Sequence, residues 1–437
     1  MNSFSQKKFI SRLKLLDFLK ISLYFIPISL ILGNAAVNIN SFIAIVILGL
    51  IFFFNSHSFD NYKKIFLIFL LFFFIIILNI LFSEGIKHSL ISALGLVRYF
   101  FLMIAILYCL EKDEKFLFNY SRLLMLILLF VACDTLFQYF YGKDIFGIEP
   151  TAGNFHGQRL NGPFGDEYVV GAYISKFFFI SLIFFTFLNK NFLYLFLYLI
   201  FICSITLLTK ERMASLMIIF STGIFLLSSS KVKAKIKILY VSIFLIFCSF
   251  LIVNNESIKN HLILRSLDQL GLNNIFTAYD DKKKIKNFAN IRLIYDSQWG
   301  AHFLTSYNIF IDNPIMGSGI KTFRLKCSDE KYEKIDSKSY EIRCNTHPHN
   351  IYLEIISETG LSLFLPFVLL NLFIFYKLII STLNYGKDNN LSLLILCGFV
   401  LLFFPIQTTG SFFSTWNGFY YWFIYTFVAF EFRRSKN

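Results

Sequence analysis

The chain has 437 residues, is 56% hydrophobic and carries 58 phenylalanines; its mean hydropathy of +0.63 excludes an ordinary soluble domain. A net charge of +14 would suggest nucleic acid in a soluble protein. Here Lys and Arg gather in short loops and at the termini, where they orient helices instead.

Apolar runs of roughly 18 or more residues recur, each enough to cross about 30 Å of hydrocarbon, and they lack the alternation of barrel strands. The expected fold is therefore an all-α polytopic membrane protein. Lys7, Lys8, Arg12 and Lys14 place the N-terminus inside. The first run has no small-residue cleavage site and further runs follow, so it reads as a span. In order, the expected spans are 15–33, 35–54, 65–82, 89–110, 120–141, 168–188, 191–209, 213–229, 236–253, 351–378, 391–409 and 415–430.

Threading them alternately puts Lys63, Lys64, Lys112, Lys115, Arg122, Lys231 to Lys237, Lys377, Lys387, Arg433 and Arg434 on one side. Both termini are then cytoplasmic. Three parts follow: 1–253 with nine spans and a short outer loop at 142–167, a large outer loop at 254–350, and 351–437 with three spans. The large loop is basic, but long translocated segments are largely exempt from the charge rule. Helical patterns occur within it at Ile258–Leu270 and Asn290–Ile311.

The polar motifs all fall on the outer face. Gln158 to Glu167 contains Gly162, Pro163 and Gly165 and forms a tight turn before a helix. Thr209-Lys210-Glu211-Arg212 is a corner between two spans. Arg292 and Trp299 precede Pro314-Ile315-Met316-Gly317-Ser318-Gly319. Finally, His347-Pro348-His349-Asn350 opens a span holding Glu354 and Glu358 on one helix face. Ionisable groups at membrane depth are functional candidates by default. Read singly, each has a plainer meaning: Arg212 as a snorkelling residue, Arg292 as a surface charge, Gly317-Ser318-Gly319 as a turn, His349 as a helix-start residue. Arginine is nevertheless the side chain suited to phosphate, through two parallel charge-assisted hydrogen bonds.

Together these motifs resemble the O-antigen ligase and O-antigen polymerase family of bacterial envelope enzymes. Arg159 to Glu167, the Thr-Lys-Glu-Arg corner, Arg292 through Gly319, and His347 to Asn350 with Glu358-Thr359-Gly360 carry the resemblance. One departure is Leu361-Ser362-Leu363 after Gly360, where many members have a second glycine. The resemblance implies a metal-independent glycosyltransferase of the bacterial inner membrane, without a cofactor. It implies a saccharide donor on undecaprenyl diphosphate, a lipid A–core or saccharide acceptor, and no nucleic-acid partner. His349 would take the proton of the acceptor hydroxyl. Arg212 and Arg292 would stabilise the leaving diphosphate. Arg159, Lys210, His347, Asn350 and Glu358 are assigned to substrate binding. No metal site is assigned. A polymerase would need the same residues. A lipid-linked saccharide transporter would show broken helices and midplane charges in repeated halves, and no repeat is evident.

Five cysteines lie in apolar spans and read as small buried hydrophobes. Cys327 and Cys344 lie in the outer loop, where an oxidising compartment favours their disulfide. Last, Arg98 and Asp134 lie about 13 and 10 Å below the same face on sequential antiparallel spans. They are expected to pair, with Gln138 one turn above completing the network. Alternatively, Arg98 lines the groove that takes the lipid carrier.

Overall fold

The computed structural model describes residues 2–55, 59–150, 159–188, 192–229, 233–269, 297–335, 337, 339–384 and 390–434. All regular structure among these residues is helical. The long helices are α1 Asn2–Leu32, α2 Asn34–Phe54, α3 Lys63–Leu81, α4 Ile86–Lys112, α5 Glu114–Tyr141, α6 Val170–Phe187, α7 Phe192–Leu208, α8 Arg212–Ser228, α9 Ala234–Asn254, α10 Gln298–Asp312, α11 Ile351–Asn384, α12 Asn390–Phe403 and α13 Thr415–Arg434. Among the described residues, eight helices are long and apolar enough to cross a membrane: α1 over Lys14–Leu32, α2 to α6, α9, and α11 over Ile351–Leu383. Helices α7, α8 and α12 are shorter, at 17, 17 and 14 residues. Helix α13 has 20 residues and is richer in Tyr and Trp than in aliphatic side chains.

The bundle is knit by α1 on α2, α5 on α6, α12 on α6 and α8, and α13 on α4. Its ends follow local chemistry. Asp113 caps α5 by accepting the Lys115 N–H at 3.0 Å, and Gly142, at φ +75°, ends that helix. The expected span 391–409 is corrected: α12 stops at Phe403. Pro405 lacks the N–H that would continue the helix. Gln407 Nε2 donates to the freed carbonyls of Leu401 and Leu402 instead, at 3.1 and 2.7 Å. Residues 404–414 then run without a helix across the end of the bundle.

Helix α11 is broken at Gly360, which takes φ +61° and ψ −166°. The segment after α10 repairs the break. Leu361 and Ser362 N–H donate to the Pro314 and Ile315 carbonyls, at 2.8 and 3.0 Å. Ser318 and Gly319 N–H donate to the Ser357 and Glu358 carbonyls, at 3.0 and 2.8 Å. Backbone freed inside a membrane helix must be satisfied by protein, and this splice does so. It explains the Pro314–Gly319 motif as a structural partner of α11. A Cβ at Gly360 would strike the Ile315 carbonyl and one at Gly317 the Glu358 backbone. Gly360→Ala is therefore expected to cost about 2–6 kcal/mol, from strained backbone plus overpacking. Thermal unfolding of the detergent-solubilised variant measures this; wild-type stability would contradict the splice.

In the expected large loop, the helical pattern at 258–270 appears as Glu256–Lys259, Asn260–Leu264 and Arg265–Gln269 in succession. The second pattern appears as α10; residues 290–296 lie outside the described residues. Ile309, Phe323, Cys327 and Tyr332 form a small second core. Cys327 and Cys344 are bonded, with Cα atoms 5.1 Å apart.

Candidate functional site

Three segments converge at the N-terminal end of α11. Asn350 caps the helix, its Oδ1 accepting the Tyr352 and Leu353 N–H groups at 3.0 and 3.1 Å. Its Nδ2 donates to the Pro405 and Gln407 carbonyls, at 2.8 and 3.2 Å. The cap thus clamps the 404–414 segment onto the helix start, which occupies the side chain expected to contact substrate. The Thr409 N–H donates to the His349 carbonyl at 2.7 Å. Ser306 of α10 donates to the Leu353 carbonyl at 2.8 Å, laying α10 against the first turn of α11.

This arrangement gathers His302, His347 and His349. The His349 ring centroid lies 4.2 Å from that of His347, 5.4 Å from His302 and 5.1 Å from Trp299. His302 Nδ1 is 2.9 Å from the Arg343 carbonyl. A carbonyl only accepts, so that nitrogen carries the proton. The same argument protonates His347 Nε2, 3.1 Å from the Thr409 carbonyl. The His349 imidazole makes ring contacts but no hydrogen bond among the described residues. Its backbone sits at φ +58°, a conformation costly for a residue with a Cβ and held only by the surrounding bonds. Burial, then the neighbouring His347 and His302, push its pKa down to about 3. Burial also pushes His347 down to about 4. Both rings are neutral at pH 7, with burial the larger cause.

The Thr-Lys-Glu-Arg corner faces the same region. Lys210 also has positive φ, +62°. That turn splits the motif. Glu211 caps α6, accepting the Gly171 and Ala172 N–H groups at 2.6 and 3.0 Å. Arg212 Nη1 donates to Gln269, which also accepts the Trp299 indole N–H at 3.2 Å. Arg212 and Arg159 line a cavity of about 340 Å³, with Lys176, Glu211, Trp299 and the 407–410 backbone. A second cavity of about 460 Å³ is mostly apolar, walled by Leu207, Leu216, Ile219, Ile252, Leu262 and Ile406. Arg212, Met213, Trp299 and Thr408 line both. Arg159, Arg212, Arg265 and Lys210 all bear on His261, whose pKa is pushed down to about 4 by burial first and then by these cations. Glu211 acts on Arg159 in the opposite sense, and the cations outnumber it around His261.

Residues 195–368 match the family described as O-antigen ligase. That segment is similar to the O-antigen ligase family. No curated protein matches the chain. The matched segment contains the corner, Trp299, the three gathered histidines and the α11 break. Arg159, Lys176 and the 404–414 segment complete the site from outside it. The match supports O-antigen ligase- or polymerase-type activity.

Not every expected residue reaches this site. Arg292 lies outside the described residues. Glu358 is fully buried and accepts the Lys321 and Phe323 N–H groups at 2.6 and 3.1 Å. Arg98 and Asp134 do not pair, correcting the expected ion pair. Arg98 points back along α4 and donates to Tyr99 Oη and Thr415 Oγ1, at 2.7 and 2.9 Å. Asp134 instead accepts the Ile145 N–H at 2.9 Å. Gln138 holds the turn before α6 by bonds to Asn161 and the Gly162 N–H. Sequence reading missed Lys176, whose ammonium lies over the Trp416 and Tyr420 rings at 4.6 and 4.7 Å. It also missed His302 and Arg265.

Proposed function

We propose that the protein transfers a saccharide from undecaprenyl diphosphate to a hydroxyl of a lipid A–core acceptor, on the periplasmic face of the bacterial inner membrane. The observation that carries this reading is the pair of adjoining cavities, one cationic and one apolar, meeting at Arg212 and Trp299 beside His349. The apolar cavity suits the prenyl chain and the cationic one its diphosphate. Arg212, Arg159 and Lys210 offset the charge that grows on the leaving diphosphate, with Arg292 assigned the same role.

His349 is the base. Its neutral ring has no hydrogen-bond partner among the described residues, so a lone pair is free for the acceptor proton. A pKa of about 3 makes it a weak base before the donor binds. The diphosphate reverses this, because a nearby anion favours imidazolium. Proton uptake and leaving-group departure are thereby coupled. The pH dependence follows with a definite sign. His349 is depressed from the ordinary histidine value, so kcat/KM should stay flat from pH 8 to 5 and fall only below that range. The acid limb of kcat, set in the donor complex, should lie higher. A kcat/KM limb near pH 6.5 would contradict burial of the base.

Deleting the gene in its host tests the function. Ligase loss leaves undecorated core, with long chains retained on the lipid carrier. Core bearing single repeat units would assign the polymerase reaction instead. Unchanged surface polysaccharide would refute both.

A further inference from the structure

A second group of cations lies near Lys321 and His347. Arg98 comes from α4, Lys321 from the turn after Gly319, and Arg324 from the short helix Phe323–Lys326. Glu358 fixes this turn by accepting the Lys321 and Phe323 N–H groups. One helical turn earlier, Glu354 accepts the Phe412 N–H at 2.7 Å and the Ser411 hydroxyl. The two carboxylates therefore spend their oxygens on backbone and hydroxyl donors. Neither is ion-paired with a cation among the described residues.

The cations are left over. Lys326, Lys331 and Arg343, in the same stretch of chain, each have a carboxylate partner. Lys321 and Arg324 have no side-chain partner among the described residues, and Arg324 is exposed. Lys321 is held at φ +59°, a strained conformation that fixes where its side chain leaves the turn. Arg98 uses only Nη2, toward Tyr99 and Thr415. Its Nε is buried without a partner. Lys321 feels Glu354 and Glu358, and Arg324 feels Glu354, yet neither cation forms an ion pair with them among the described residues.

Position separates this group from the Arg159–Arg212 cavity. Trp416 and Asn417, at the start of α13, line that cavity and contact Lys176. Thr415, on another face of the same turn, contacts Arg98. His347 is close enough to Lys321 and Arg324 for both to disfavour its protonation, and its ring lies tilted against that of His349. His347 is thus near one cationic group, and His349 lies beside Trp299, which lines the cavity of the other. Glycosyl transfer needs two substrates, one on each side of the base, and the diphosphate accounts for one group.

We infer that Arg98, Lys321 and Arg324 form an acceptor site for an oxyanion, phosphate or carboxylate, on the saccharide that receives the chain. This rests on the transferase reading above. The site recognises an anionic acceptor and holds its hydroxyl on the His347 side of His349. It fixes specificity without taking part in bond making.

The test uses the full chain in neutral-lipid nanodiscs, with saturating lipid-diphosphate donor and a lipid A–core acceptor. The acceptor is supplied intact, with its phosphates removed by hydrofluoric acid, or with its carboxylates amidated. For wild type, loss of the recognised group should raise acceptor KM at least about tenfold, roughly what one charge-assisted hydrogen bond is worth. In Arg324→Glu, acceptor KM for the intact form should rise as much and no longer respond to acceptor charge. Donor KM should stay unchanged. Lys321→Gln, which keeps the backbone N–H to Glu358, gives the same result if Arg324→Glu fails to fold. Equal KM for all acceptor forms in wild type, or a change confined to donor KM, would overturn the proposal. So would an acceptor KM set by adding anionic lipid to the nanodisc, which would make the cluster a headgroup site. Absence of wild-type transfer to any acceptor would instead defeat the transferase reading itself.

Discussion

Alanine at His349 is expected to abolish saccharide transfer while leaving the protein folded in the membrane. The imidazole contributes ring contacts to His302, His347 and Trp299 but no hydrogen bond among the described residues, so its removal strands no buried partner. Alanine also lowers no strain at φ +58°, since both residues carry a Cβ there. The loss is therefore chemical: positioned base catalysis contributes about 10²- to 10⁴-fold. The check compares turnover with thermal stability. Near-normal transfer by stably expressed variant would remove His349 as the base. Loss of stability in parallel with activity would make it a packing residue.

Arg212→Ala should lower the rate about 10²- to 10³-fold, the range for removing one preorganised donor to developing charge. The side chain lines both cavities, so it sits where diphosphate and prenyl chain would join. Its bond to Gln269 fixes one edge of the guanidinium and aims the other into the cavity. Lysine keeps the charge but loses the planar fork, so Arg212→Lys should recover only part of the rate. Turnover at subsaturating donor is the measurement. Wild-type rates for both variants would exclude Arg212 from diphosphate recognition.

The bundle was legible because apolar runs announce themselves by length. The site was legible only where a motif is compact. His347 to Asn350 and the Thr209–Arg212 corner stand out in a few residues each, yet their inner division of labour does not. Glu211 and Asn350 turn out to hold helix starts, and nothing in their spacing distinguishes a cap from a ligand. Gly317 and Gly360 read as parts of separate motifs, but the contact between them is long-range. Lys176 is hidden in an apolar run, where a single lysine reads as a snorkelling side chain. His302 is one polar residue in an amphipathic helix, and only the docking of α10 on α11 gives it meaning. The segment 404–414 is the largest miss. Its Leu-Leu-Phe-Phe lead-in continues the hydrophobic pattern, and Pro405 alone signals that the helix ends. Arg98 and Asp134 show a different failure. Position along two helices can be read from the sequence, but the direction each side chain faces cannot.

We propose that His349 serves a metal-independent transfer from a lipid diphosphate. It is tested most directly with purified protein, synthetic undecaprenyl-diphosphate saccharide and acceptor glycolipid in EDTA. The prediction is release of undecaprenyl diphosphate in equal amount to elongated acceptor by wild type, and neither product from the His349→Ala variant. Transfer that stops in EDTA and returns with a divalent ion, or that persists in the His349→Ala variant, would contradict the account.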